Sequence, residues 1–68
     1  MNDDTFNLSI RQFLKMVGVS SQREIEHAVG AALQDGKLSG NESLPVRMTL
    51  EIEGLQLRVV FDGVIELE

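Results

Sequence analysis

Apolar and polar residues alternate along two runs near the C-terminus, and the break between them is only Glu53-Gly54. Val46, Met48, Leu50 and Ile52 stand before it; Leu55, Leu57, Val59 and Phe61 stand after it. Period-two alternation marks strands with one apolar face. A two-residue hairpin loop at Glu53-Gly54 pairs 52 with 55, 50 with 57, 48 with 59 and 46 with 61, apolar against apolar each time. The other face then reads Arg47, Thr49 and Glu51 against Val60, Arg58 and Gln56. Asp62-Gly63 signals a second turn. A two-residue turn there sets Val59 against Glu66 and drives a charge onto the apolar face. A three-residue turn over Phe61-Asp62-Gly63 instead pairs Val59 with Ile65, Leu57 with Leu67 and Arg58 with Glu66, which satisfies both faces. The expectation is a three-stranded meander with Val60 and Val64 paired on its outer side.

Upstream the period changes to that of a helix. Phe6, Ile10, Phe13, Leu14 and Val17 recur on one helical face, behind an Asp3-Asp4-Thr5 start whose short polar side chains suit a helix N-terminus. Leu8 and Met16 fall off that face. Gly18 reads as a stop, since glycine accepts the left-handed conformation common just past a helix end. Val19-Ser20-Ser21 then opens a second helix, with Ser21 and Glu24 at capping-box spacing. Its stripe is Ile25, Ala28, Val29, Ala32 and Leu33, and Gly36 ends it. Lys37 to Pro45 is a polar loop in which Leu38 and Leu44 serve as anchors.

The fold class expected from these elements is α+β: two N-terminal helices packed on one face of a three-stranded antiparallel β-meander, one domain over residues 1–68. A chain of this length buries only ~60% of its unfolded surface, so its stability margin is thin. Disulfides and thiolate zinc sites are excluded by the absence of cysteine. Association with a second chain is the remaining supplement.

Charge narrows the partners. Eleven acidic residues against six basic ones give a net charge of −5, which repels nucleic-acid backbones and anionic membrane surfaces alike. No apolar run approaches the ~20 residues of a membrane span, and the acidic Met1-Asn2-Asp3-Asp4 start is unlike a secretory signal. A cytoplasmic location is the expectation.

Candidate chemistry is sparse. His27 is the only histidine, beside Arg23 on the wheel of the second helix and at the edge of its stripe rather than in it. Catalysis needs a positioned partner for it, and none is picked out, so it reads as a boundary residue. One histidine with scattered carboxylates matches no metal-ligand spacing. Asp3-Asp4 reads as helix capping and Glu24-Glu26 as solvated surface. The glycines form no phosphate loop, and no serine sits in a nucleophile elbow. Neither enzyme activity nor a cofactor, metal or small-molecule ligand is expected.

Two features carry more. The segment Gly18-Val19-Ser20-Ser21 between helices resembles the turn of a helix-turn-helix DNA reader, with Ser20, Ser21, Gln22 and Arg23 heading the recognition helix. Against it, only Arg23 is basic there and Glu24 and Glu26 follow at once. The second feature is apolar surface the expected fold leaves uncovered: Leu8, Met16, Val60 and Val64. Val60 and Val64 beside Phe61 approach a patch, and patches mark interfaces. The sheet edge formed by the first strand, carrying Met48 and Leu50, could also pair with a second copy or an extended peptide. The expected function is a protein–protein interaction module or homodimer, with Arg47, Arg58, Val60 and Val64 at the interface and DNA binding as the alternative.

The chain also resembles a family of short uncharacterised bacterial proteins, mainly proteobacterial, classed as a domain of unknown function. Phe6-Asn7, Phe13-Leu14-Lys15, Val17-Gly18-Val19 and Ser21-Gln22-Arg23-Glu24-Ile25-Glu26 carry the likeness. It continues through Gly36-Lys37-Leu38, Gly40-Asn41-Glu42, Leu44-Pro45, Arg47-Met48-Thr49-Leu50 and Ile52-Glu53-Gly54-Leu55. The resemblance implies a stand-alone bacterial protein of about this length and no particular activity, substrate or catalytic residue.

Overall fold

A computed structural model describes residues 1–68 and places the elements in the order α1 (Asp3–Gln34), β1 (Ser43–Ile52), a 3-10 turn (Glu53–Leu55) and β2 (Leu57–Glu66). The chain divides into two compact units, Met1–Lys37 and Leu38–Glu68. The first holds one helix and the second one hairpin, so the expected two helices over a three-stranded meander are not what forms.

The helix begins where Asn2, with extended backbone, accepts from the Thr5 amide through its side chain at 3.1 Å. Asp3 and Asp4 occupy the first turn, at the positive end of the dipole. The break expected at Gly18 is absent: α1 continues for 32 residues, ~48 Å, straight through Gly18-Val19-Ser20-Ser21. Glycine inside a helix costs ~1 kcal/mol relative to alanine, whereas ending and restarting a helix orphans four carbonyls and four amides. Without a proline to forbid continuation, the smaller cost wins. The two apolar stripes also adjoin across the segment, since Val17, Ser21 and Ile25 lie four apart. With Val29 and Ala32 they are the half-buried positions of α1, all on one side.

The helix does end at Gly36, as expected. Gly36 takes the left-handed conformation (φ 76°), its amide donates to the Leu33 carbonyl at 3.2 Å, and the Lys37 amide donates to Ala32 at 2.9 Å. That pair of bonds is a Schellman closure.

In the second unit β1 and β2 pair antiparallel along their whole length, from Ser43 opposite Glu66 to Ile52 opposite Leu57. The loop is therefore four residues, Glu53–Gln56, rather than two, and its left-handed position is Gln56 (φ 51°), not Gly54. This moves the register by two residues from the expected one. A shift of two keeps every side chain on its own face. Leu50 still meets an apolar partner, Val59, as Met48 meets Phe61 and Leu44 meets Ile65. The outer face gains more, because the shift sets Arg47 against Asp62 and Glu51 against Arg58. In the two-residue register those cations faced Val60 and Thr49. Opposite charges across a ladder favour the pairing that joins them.

The second turn, at Asp62-Gly63, does not form. Gly63 lies in the ladder opposite Val46, whose Cγ1 stands 3.5 Å from where a Gly63 Cβ would be. Asp62 is held across the strands by Arg47 (Nε–Oδ1 3.1 Å). Phe61 stays in the strand instead of rising into a turn, and the segment expected as a third strand is the end of β2.

No residue of the chain is fully buried. Taken by itself, a single helix or a two-stranded ribbon offers no second layer against which to bury a face.

Candidate self-association surface

Alternation along the hairpin sorts its side chains into two faces. One carries Leu44, Val46, Met48, Leu50 and Ile52 with Leu57, Val59, Phe61, Gly63 and Ile65. The other carries Ser43, Pro45, Arg47, Thr49 and Glu51 with Arg58, Val60, Asp62, Val64 and Glu66. The four residues expected at an interface, Arg47, Arg58, Val60 and Val64, share this second face. Val60 and Val64 are not cross-strand partners as expected: Val60 faces Thr49, Val64 faces Pro45, and Asp62 stands between them on β2. Nor does Arg58 face Glu66; Glu51 is its partner, and Glu66 accepts from the Ser43 hydroxyl.

The strands differ in how much apolar surface they leave in water. On β1, Leu44, Val46 and Leu50 are half-buried; on β2 only Ile65 is. Phe61 is 56% exposed and Val64 58%. They join Leu57, Val59 and Val60 in a largely exposed apolar strand.

The open edges can be read from one hydrogen bond. The Leu67 amide donates to the Glu42 carbonyl at 3.0 Å, one step beyond the ladder in the same register. Antiparallel pairs alternate between bonded and non-bonded, so 44/65, 46/63, 48/61, 50/59 and 52/57 are the bonded pairs. The amides and carbonyls of the intervening residues then point away from the partner strand. On β2 this outward row is Arg58, Val60, Asp62, Val64 and Glu66. On β1 it is Ser43, Pro45, Arg47, Thr49 and Glu51, and Pro45 has no amide hydrogen to offer.

The remaining sites of interest are local. Glu42 folds its carboxylate back onto the loop, accepting from the amides of Ser39 (2.8 Å), Gly40 (2.9 Å) and Asn41 (3.2 Å). The bond from Ser39, followed by that from Gly40, holds its pKa below the usual glutamate value. His27 lies on the open surface of α1 beside Glu26, Gly30, Ala31 and Gln34. Ser20, Ser21, Gln22 and Arg23 lie inside α1, so they head no recognition helix and the bend of a helix-turn-helix is missing. The edge amides were beyond sequence reasoning, because their direction depends on the phase of the ladder.

The family of unknown function DUF6494 matches residues 1–68. The chain belongs to that family. The resemblance visible in the sequence, to a domain of unknown function, is thereby established over the full chain. No curated protein and no solved structure matches this DUF6494 chain. No helix of it is long and apolar enough to cross a membrane.

Proposed function

We propose that this DUF6494 chain is a non-catalytic protein–protein interaction module that works by associating with a second copy of itself. The observation that supports this is its unburied surface. The hairpin leaves apolar side chains in water along β2, with Phe61 56% and Val64 58% exposed, and exposed apolar patches mark interfaces. A two-stranded hairpin alone is also marginal in water, and added strands are the ordinary remedy. The acidic balance of the chain favours a protein partner over a nucleic acid.

Light scattering across a concentration series tests the reading. A mass near twice 7.5 kDa that falls on dilution is expected. A mass fixed at 7.5 kDa up to millimolar chain refutes self-association.

A further inference from the structure

We propose that two copies join through the free edge of β2, antiparallel about a two-fold axis at Val60, to build one four-stranded sheet. The proposal rests on the self-association reading and adds the surface, the strand direction and the register.

The edge is chosen by its hydrogen-bonding row. Unpaired outward amides and carbonyls are a template for another strand, and natural edges are blunted by proline or inward charge. The β1 edge has such a device in Pro45, which removes one outward donor. The β2 edge has no proline: Arg58, Val60, Asp62, Val64 and Glu66 all keep their outward amides. Leu57 to Phe61 is rich in β-branched and aromatic residues and free of proline, and most of its apolar side chains stand exposed.

The register is chosen by charge. Outward-bonding residues must pair with outward-bonding residues, so allowed registers differ in steps of two. With Val60 opposite the partner's Val60, Arg58 faces the partner's Asp62, and symmetry makes that pair twice. One step along, Arg58 faces the partner's Val64 and Asp62 faces the partner's Val60, so both charges meet apolar side chains. One step further, Asp62 faces the partner's Asp62 on the axis, a like-charge pair that offsets the Arg58 and Glu66 pairs formed on either side of it. In the first register a row across all four strands reads Glu51, Arg58, then the partner's Asp62 and the partner's Arg47, alternating in sign throughout. On the opposite face the row Leu50, Val59, the partner's Phe61 and the partner's Met48 is apolar throughout. One register serves both faces.

The test compares the wild-type chain with Val60→Pro by light scattering, and cross-links three single-cysteine variants, Val60→Cys, Val64→Cys and Thr49→Cys, under mild oxidation. The chain has no cysteine of its own. Proline at 60 removes only an outward donor, so the β1–β2 ladder keeps its bonds, and circular dichroism checks that it folds. Losing both hydrogen bonds exchanged at the axis is expected to weaken the dimer about tenfold or more. Bonded antiparallel neighbours stand ~5.5 Å apart, within disulfide reach. Val60→Cys is therefore expected to cross-link far faster than Val64→Cys or than Thr49→Cys, which marks the middle of the β1 edge. A wild-type dimer that Val60→Pro leaves intact, or that Thr49→Cys or Val64→Cys captures as readily, overturns the β2 edge but not self-association. A monomeric wild-type chain overturns both.

Discussion

Replacing Gly18 with alanine separates one continuous helix from two helices joined by a glycine turn, because the two arrangements give opposite signs. In α1 a Cβ at residue 18 meets nothing within 4 Å, so the added methyl brings no clash. The change then acts through helix propensity, and alanine exceeds glycine by ~0.8–1.0 kcal/mol at an interior position. A domain of this size gains ~4–8 °C in Tm per kcal/mol, so a rise of about that amount is expected. Had Gly18 been the left-handed residue past a helix end, alanine there would cost ~1–2 kcal/mol, and Tm would fall. The two outcomes lie ~2–3 kcal/mol apart. Gly36→Ala supplies the opposite control, since Gly36 does take positive φ (76°) and must lose stability on substitution. Thermal melts followed at 222 nm, at one fixed chain concentration, decide the matter. A lower Tm for Gly18→Ala refutes the long helix.

Two further outcomes follow from the hairpin and its loop. Glu42 has a depressed pKa, so its loop bonds stabilise the fold fully above the ordinary glutamate range and progressively less as pH falls through the folded value. Glu42→Gln is thus expected to be less stable than the wild type at pH 7, with the gap closing as pH falls below the ordinary glutamate value of 4.5. Urea titrations across that range check it, and a gap that widens in acid refutes the loop's role. The Arg47–Asp62 pair is solvent-exposed (72% and 68%), so a double-mutant cycle with alanine should give a coupling of only ~0.5 kcal/mol, shrinking in 1 M salt. A coupling above ~2 kcal/mol would mean the pair is desolvated, for instance beneath a second copy.

The absence of a buried side chain connects these expectations. Phe6 and Phe13 are each 49% exposed, although they lie on the apolar stripe of α1. The stripe sets which side of the helix is apolar; burying it takes another surface. Under the proposed self-association, burial gained between molecules adds to stability, so the melts above are compared at one chain concentration.

How much was legible in the sequence differs by element. The alternation from Val46 to Phe61 determined two strands, their antiparallel pairing and which side chains share a face, because strand period is a local property of the backbone. Arg47, Arg58, Val60 and Val64 could be placed on one face for the same reason. Gly36 as the helix stop was legible too, since nothing non-local competed with it. Three features were not local. Gly18 and Gly63 carry the same turn signal as Gly36, but a glycine permits a turn without requiring one. Continuation of α1 turned on the orphaned polar groups a break would leave. The hairpin register turned on Arg47 meeting Asp62 and Glu51 meeting Arg58, a choice between pairings that all kept apolar facing apolar. The direction of the edge amides, and with it the open row on β2, came only from the phase of the assembled ladder. Local pattern determined what each segment can be, and the balance among long-range pairings decided which of its turns were made.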